Sequence, residues 1–223
     1  MRNNNRKLIG VRDRDVREAV WHWLEREYAG NDDTLMLDEL GILNGATRID
    51  IAVVNGEISG FELKSERDTL ERLPMQRDLY DLVLDRVSLV VAEHHRKKAV
   101  PLISAWWGVW IAHGVTGGRV EVSQERDASS NPRLHAETIC SFLWRDEALA
   151  ILERHDAAQG VKSKPRGVLY RRLAEVLPLD AVRHEVRTAL KVREGWRVGR
   201  RSRPLSDKLK AEPPRLPRQG NRF

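Results

Sequence analysis

The sequence predicts an α/β protein in which helices flank a mixed β-sheet and an all-helical C-terminal subdomain follows. Two apolar strands joined by Asn55-Gly56 come early in the chain, and a continuous apolar strand follows at Val87 to Ala92. In the last third of the chain, the apolar residues recur at helical spacing only. We therefore expect a sheet domain, a helical subdomain and a basic, proline-containing, disordered tail, at residues 1–128, 129–197 and 198–223.

The composition limits the class of protein. With 223 residues, 41% hydrophobic and 32% charged, the chain is an ordinary globular sequence. No apolar run approaches the roughly 18 residues that a membrane span needs, and the N-terminus lacks a signal-peptide core. The single Cys140 excludes an internal disulfide and a thiolate zinc cluster. We expect a cytoplasmic protein with no membrane partner.

The positive charge is concentrated at the C-terminus. The formal net charge is +6, but residues 191–223 alone contain 11 Lys/Arg and 3 Asp/Glu, which leaves the first 190 residues slightly acidic. Such a tail suits a nucleic acid partner, although basic tails also occur on proteins that bind no nucleic acid.

The first helix is predicted at Asp13 to Tyr28, where Val16, Val20 and Leu24 recur on one face. A turn then leads to a segment at Leu35 to Leu40, which precedes the hairpin. Acidic residues of this helix are expected to be solvated.

The hairpin carries three charges, Asp50, Glu62 and Lys64, in otherwise apolar strands. Charged residues in an interior strand are costly unless they are paired or serve chemistry. Glu62 and Lys64 share a face because alternate residues of a strand do so. Asp50 joins them if the loop is Val54 to Gly56, with Gly56 left-handed, and Asp50 pairs with Gly60. We predict this bulged turn, with open space at Gly60.

A helix is predicted after the hairpin, from Pro74 to about Leu84, because proline is favoured in the first turn. Gln76 and Tyr80 are one turn apart and share a face. One interpretation places both side chains at a functional site beside the hairpin. The alternative is that Gln76 is a surface residue and Tyr80 is half-buried, with no functional role. The apolar strand that follows suits the centre of the sheet.

The next segments are a helix at Glu93 to Ile103, a strand at Trp106 to Ile111 and a weak strand at Arg119 to Ser123. The helix contains adjacent histidines among basic residues, and we interpret it as a solvated or phosphate-facing surface rather than a metal pair. The tryptophans of the strand are typical of a core, and base stacking is the alternative.

The C-terminal subdomain is predicted to contain four helices, at Thr138 to Trp144, Asp146 to His155, Pro165 to Leu177 and Asp180 to Lys191. Several arginines there suit phosphate contacts and equally suit a solvated helix face: Arg166, Arg171, Arg172, Arg183 and Arg187.

The Asp50…Glu62-x-Lys64 arrangement on a hairpin resembles the PD-(D/E)XK nuclease superfamily, which has a restriction-endonuclease-like fold. Gln76 and Tyr80, in Q-R-D-L-Y, are similar to the Q-x-x-x-Y element of its recombination-type members. The run ELGILNGATRIDIAVVNGEISGFELKSERDTLERLPMQ and the later AWWGVW are similar to a bacterial family known by a myxobacterial locus label beginning "Sce". This resemblance covers most of residues 10 to 195.

The resemblance implies a Mg²⁺-dependent (or Mn²⁺-dependent) deoxyribonuclease that hydrolyses phosphodiester bonds. Carboxylates are the hard oxygen donors that Mg²⁺ prefers. Asp50, Glu62 and the backbone carbonyl of Leu63 are the expected ligands, and Glu39 would add a ligand directly or through water.

The remaining catalytic roles implied by the resemblance belong to Lys64, Gln76 and Tyr80. Lys64 would orient the attacking water and offset developing negative charge. Gln76 would position the helix at the metal site, and Tyr80 would contact the substrate backbone.

Three alternatives stay open from the residues alone. The charges can form a buried ion-pair cluster with a purely structural role. The chain can be a non-catalytic nucleic-acid-binding or adaptor protein that keeps the fold, or a ribonuclease that uses the same residues. The expected partner is nucleic acid, with DNA preferred, and the expected source is bacterial or phage. The sequence indicates neither protein partners nor an oligomeric state.

Overall fold

A computed structural model describes residues 11–115 and 119–193. Over these residues, seven α-helices flank one six-stranded mixed sheet, which confirms the predicted α/β class with C-terminal helices. The strands are β1 (Leu35–Ile42), β2 (Thr47–Val54), β3 (Ile58–Lys64), β4 (Arg86–Ala92), β5 (Gly108–Gly114) and β6 (Val120–Arg126). The helices are α1 (Asp13–Glu27), α2 (Leu73–Tyr80), α3 (Arg96–Ala99), α4 (Ala136–Ile139), α5 (Arg145–Arg154), α6 (Arg166–Val176) and α7 (Leu179–Val192).

The strands lie in the sheet in chain order, from β1 to β6. The β3–β4 and β4–β5 pairs are parallel and the other three pairs are antiparallel. This order places β3 and β4 at the centre, where both faces are covered. The apolar sequence of β4 therefore fits its position, as predicted.

Each face of the sheet has its own core. On one face, α1 contributes Val16, Val20 and Leu24 to a cluster that includes Phe61 and Trp110. On the other face, α2 and the C-terminal helices share a single apolar cluster with the sheet. The C-terminal helices thus bury their apolar residues against the same core as the strands. The division into domains stays a prediction.

The segment before the hairpin is a strand rather than a lead-in, because β1 pairs with β2 along most of its length. Its sequence hides this, since Asp38 and Glu39 interrupt the apolar alternation and Glu39 has a φ of 57°. The helix predicted at 93–103 is broken into α3 and two flanking 3-10 turns. Pro101, which has no N–H donor, lies in the last of these turns.

The tryptophans of the β5 region are core residues: Trp106, Trp107 and Trp110 are all buried, which confirms the packing interpretation. Helices α5, α6 and α7 lie close to their predicted bounds, whereas the first predicted C-terminal helix is only α4 followed by a 3-10 turn. The predicted disordered tail, at 198–223, falls outside the described residues. Within 11–115 and 119–193, no helix combines the length and apolarity of a membrane span.

Candidate functional site

The β2–β3 hairpin turns through Asn55, Gly56 and Glu57, because Val54 pairs with Ile58. Asn55 closes this loop: its N–H donates to the Glu57 carbonyl at 3.0 Å and its Oδ1 accepts from the Glu57 N–H at 3.1 Å. The predicted three-residue loop is therefore wrong by one position. Gly56 is also not left-handed, since its φ is not positive.

The register places Ala52 opposite Gly60, so the predicted pairing of Asp50 with Gly60 is wrong. A Cβ at Gly60 would lie 2.7 Å from Leu84 Cδ1 and 2.9 Å from Ile49 Cγ1. The space beside Gly60 is therefore filled by core side chains and is not open at the site. Glycine is needed here because these two side chains approach the β3 backbone closely.

Glu62 and Lys64 lie on one face of β3, as predicted, and form a closed buried cluster with α2. Lys64 Nζ lies 2.7 Å from Glu62 Oε1, and Gln76 Nε2 donates to the same oxygen at 2.6 Å. Gln76 Oε1 in turn accepts from Lys64 Nζ at 3.1 Å. The three residues are 1%, 4% and 7% exposed. The face shared by Gln76 and Tyr80 thus points at Glu62, and the surface-glutamine alternative is wrong.

Tyr80 completes this cluster from the next turn of α2. Its hydroxyl lies 2.8 Å from Glu62 Oε2 and 2.6 Å from the Arg48 carbonyl oxygen. Burial, reinforced by the charge of Glu62, raises the pKa of Tyr80, so the hydroxyl stays protonated and can donate. Its single proton can be donated to only one of these two oxygens. Glu62 Oε1 thus accepts from Lys64 and Gln76, and Glu62 Oε2 has the Tyr80 hydroxyl as its neighbour.

Asp50 lies in a second cluster, centred on Arg17 of α1. Arg17 Nη2 lies 2.9 Å from Asp50 Oδ1 and 3.2 Å from Glu39 Oε1, and Nη1 lies 3.3 Å from Asp38 Oδ1. Asp13, one turn earlier on α1, approaches the Arg17 Nε to 3.8 Å. The Arg17 guanidinium therefore lies within 4 Å of four carboxylates.

The Asp50 carboxylate also takes the place of a backbone hydrogen bond between β2 and β3. Its Oδ2 accepts from the Leu63 N–H at 2.8 Å, beyond the last regular pair of the hairpin, Ile51 with Phe61. Burial, followed by the charge of Glu62, raises the pKa of Asp50 to about 7, although Leu63 and Arg17 act in the opposite direction. Asp50 is thus a carboxyl whose ionisation is disfavoured by its surroundings.

The donors expected to hold a metal are already engaged in these two clusters. The Asp50 and Glu39 carboxylates bind Arg17, and the Glu62 carboxylate binds Lys64 and its α2 neighbours. Across the described residues, no three His, Cys, Asp or Glu side chains are grouped as a metal site. Cations of the protein already lie among these carboxylates, so a Mg²⁺ or Mn²⁺ ion bound there would have to displace Arg17 or Lys64.

A polar cleft of about 360 Å³ opens above the two clusters. Its rim includes Arg48, Arg72 and the exposed Met75, and its floor includes Asp50 and Lys64. Its lining contains five acidic and three basic side chains, so the cleft presents charges of both signs to a ligand.

The sequence interpretation missed Arg17 and Asp38. Trp21 Nε1 donates to Asp38 Oδ1 at 2.8 Å, so both polar groups of this part of α1 point at the same carboxylate. Arg17 and Trp21 are four residues apart and share a helix face. The sequence signal for this cluster was Arg17 itself, a cation at the edge of the apolar face of α1.

Two further buried carboxylates, Asp81 and Asp85, were also missed. Asp81 accepts from Trp107 Nε1 at 2.9 Å. Asp85 accepts from the Ile58 N–H at 2.6 Å and lies 2.7 Å from Arg183 Nε of α7. Their positions four residues apart in the apolar run after Tyr80 were the signal. Asp85 ties α7 to the hairpin.

A family model described as bacteriophage P4 protein cII matches residues 9–201. The chain belongs to the bacteriophage P4 protein cII family. Protein cII of Enterobacteria phage P4 is 26% identical to it over 184 residues, which cover 82% of this chain and 68% of the phage protein. No solved structure matches the chain significantly.

This cII family membership corrects the identification made from the hairpin motif. The assignment to the PD-(D/E)XK superfamily and to the Sce-type family is wrong, because the cII family covers nearly the whole chain. The predicted Mg²⁺-dependent deoxyribonuclease is wrong with it, whereas the expected phage connection is supported.

The roles that the nuclease assignment gave to individual residues stay predictions. They concern Asp50, Glu62, Lys64, Gln76 and Tyr80 as catalytic residues, Glu39 and Leu63 as further metal ligands, and Mg²⁺ or Mn²⁺ as the cofactor. The hydrogen bonds described above give the same side chains a structural role.

Proposed function

We propose that this cII-family protein binds nucleic acid without cleaving it. The observation that carries the proposal is a stretch of the C-terminal helices with one sign of charge. Between Asp156 and Glu175 the sequence contains five Lys/Arg and no Asp/Glu. Clustered cations of this kind bind the phosphate backbone irrespective of base sequence.

The centre of this stretch is the segment 162–166, which we call the basic loop. Lys164 and Arg166 are exposed, and neither has an ion-pair partner among the residues that the structure describes. Lys162 is 67% exposed and lies 3.0 Å from Glu153, a surface pair of little strength. The cations of the basic loop are therefore available to an external anion.

The basic loop leads directly into the positive end of α6. This helix begins at Arg166 after Pro165, and no side chain caps its first turn. Gly167 has open space around its Cα, so a phosphate can approach the backbone there. Unpaired N–H groups and the helix dipole favour an anion at this end, next to Lys164 and Arg166.

The other arginines expected to bind phosphate divide into two groups. Arg183 is held by Asp85 and Asp180, and Arg172 lies near Glu175. Arg171 is 68% exposed, and its ion pair with Glu137 is long, at 3.9 Å. Arg171 thus extends the basic surface, whereas Arg183 stabilises the fold. Nine further Lys/Arg follow in residues 194–223.

The carboxylates of the hairpin do not oppose this proposal. A binding protein gains nothing from free carboxylates near phosphate, but in this chain the Asp50 and Glu62 carboxylates are paired with Arg17 and Lys64. We propose DNA as the preferred nucleic acid and the cytoplasm as its location, in keeping with one buried Cys140 and no second cysteine.

The test is binding of labelled single-stranded DNA, duplex DNA and RNA, measured by fluorescence anisotropy across a salt series with Mg²⁺ present. We expect affinity that falls steeply with salt and oligonucleotides that remain intact on a denaturing gel. Lys164→Glu/Arg166→Glu should lower affinity roughly tenfold or more. No binding by the wild type, or Mg²⁺-dependent cutting, would overturn the proposal.

The matched control is Lys97→Glu/Lys98→Glu, which reverses two exposed charges on α3. It makes the same change in net charge on a different element of the fold. If binding depends on the basic loop, this control should keep most of the wild-type affinity. Equal losses in the two variants would show that only net charge matters.

A further inference from the structure

Trp144 is an exception among the tryptophans that the structure describes. The others are buried in the two cores or packed against them: Trp21, Trp23, Trp106, Trp107 and Trp110. Trp144 is 52% exposed, at the N-cap of α5. A single exposed apolar residue is common on protein surfaces, so its surroundings decide whether it has a role.

The Trp144 ring is held in place by the protein. The Arg193 guanidinium carbon lies 4.2 Å from the ring centroid, and the Arg193 side chain is only 4% exposed. Glu147 binds Arg193 Nε at 2.8 Å and accepts from the Trp144 N–H at 2.7 Å. Arg193 also donates to the Phe142 carbonyl at 3.0 Å. A ring fixed in this way loses little freedom when a ligand stacks on it.

Trp144 is also next to the proposed phosphate surface. Its neighbour Arg145 donates from Nη2 to the Lys162 carbonyl at 2.5 Å, which fixes the start of the basic loop to the N-terminus of α5. Trp144 therefore precedes, in the chain, the residue that anchors the basic loop. The acidic residues nearest in sequence, Asp146 and Glu147, pair with Arg145 and Arg193.

We infer that Trp144 stacks an unpaired base, so that the ligand is single-stranded nucleic acid. This inference depends on the proposed nucleic-acid binding. In a duplex the base faces are covered by neighbouring bases, whereas an unpaired base can leave its stack and lie on an aromatic ring. The basic loop binds the backbone, and Trp144 distinguishes unpaired from paired nucleotides. Stacking is tolerant of base identity, so DNA and RNA share this chemistry.

The experiment uses the full chain with single-stranded DNA, single-stranded RNA and duplex DNA of about 12 nucleotides, a length within the range of typical single-strand sites. We expect tighter binding of single strands than of duplex. Trp144→Ala should weaken single-strand binding roughly tenfold and leave duplex binding and the salt dependence unchanged. Trp144→Phe should keep most of the affinity.

Met75→Ala is the matched control, because Met75 is an equally exposed apolar side chain (53%) on α2 rather than on the C-terminal helices. It should bind like the wild type. Equal affinity for duplex and single strands, or a Trp144→Ala variant with wild-type affinity, would overturn the inference while leaving nucleic-acid binding intact. Failure to bind any nucleic acid would overturn both. A difference in affinity between single-stranded DNA and single-stranded RNA shows which of the two the protein prefers.

Iodide quenching gives a second, independent measurement. The difference in quenching between the wild type and Trp144→Phe isolates the contribution of Trp144. We expect this difference to be present in the free protein and to disappear when single-stranded oligonucleotide is added. Its absence in the free protein would show that another part of the chain covers the ring, which would overturn the inference.

Discussion

Arg17 binds Asp50 twice, through Asp50 Oδ1 at 2.9 Å and through the Asp50 backbone carbonyl at 2.8 Å. This pair joins α1 to β2 where the regular hydrogen bonding between β2 and β3 ends at Ile51 and Phe61. The guanidinium therefore acts as a cross-link between one helix and the separated ends of two strands. This cross-link gives the Asp50 carboxylate of an otherwise apolar hairpin a cationic partner from the protein itself.

Removing Arg17 should destabilise the fold strongly. Arg17→Ala leaves Asp38, Glu39 and Asp50 close together without their shared cation, and we expect a loss of about 2–4 kcal/mol in the free energy of unfolding. Urea denaturation at about pH 8 measures it, where Asp50 is mostly ionised. Arg14→Ala is the control, because Arg14 is 84% exposed and its one ion pair within residues 11–115 and 119–193 is with Asp15, at 3.5 Å. Similar losses in both variants would contradict the cross-link.

Asp50 should make stability depend on pH in an unusual direction. Its pKa is raised to about 7 in the folded chain, above the value of about 3.9 in an unfolded chain. The folded state thus holds a proton that the unfolded state loses between these values. The contribution of Asp50 to stability is complete below about pH 4 and is lost as the pH rises through 7.

The reference for this prediction is Asp50→Asn, which cannot titrate. We expect the wild-type free energy of unfolding, minus that of the variant, to fall as pH rises, by at most about 1.4 kcal/mol per pH unit. Urea denaturation at several pH values between about 4 and about 8 gives this difference. A difference that grows with pH would mean that the charge of Arg17 outweighs burial.

The hairpin charges show what the sequence could and could not predict. Asp50, Glu62 and Lys64 were visible because acids and a lysine are costly in apolar strands, and Gln76 and Tyr80 followed from helix geometry. Their chemistry was not predictable, because it depends on which cation lies nearest.

Long-range partners account for most of the remaining differences. Arg17 is 33 residues from Asp50, and only tertiary packing brings them together. The loop register was set by hydrogen bonds between Asn55 and Glu57 rather than by the preference of Asn-Gly for a two-residue turn. The strand β1 was hidden by acids that face Arg17 and Trp21.

Glu62 and Lys64 should be strongly coupled in stability. Glu62→Leu leaves a buried ammonium group, and Lys64→Met leaves a buried carboxylate, so each single change should cost about 3–5 kcal/mol. The double variant removes both charges and should recover most of one single loss, because a buried ion pair can often be replaced by apolar residues. A double-mutant cycle from urea denaturation measures the coupling. Additive losses would show that the pair is not a unit.

Gly60 should tolerate no side chain, although it lies in a strand. Gly60→Ala would place a Cβ 2.7 Å from Leu84 Cδ1 and 2.9 Å from Ile49 Cγ1, and both neighbours are fully buried. The side chains must shift, and we expect a loss of about 1–3 kcal/mol in the free energy of unfolding. Gly56→Ala, in the loop of the same hairpin, meets no atom within 4 Å and should change stability by less than about 0.5 kcal/mol. Thermal and urea denaturation of both variants compare them directly. If Gly60→Ala is as stable as Gly56→Ala, the space beside Gly60 is open after all, and the core between β3 and the segment after α2 is looser than these distances imply.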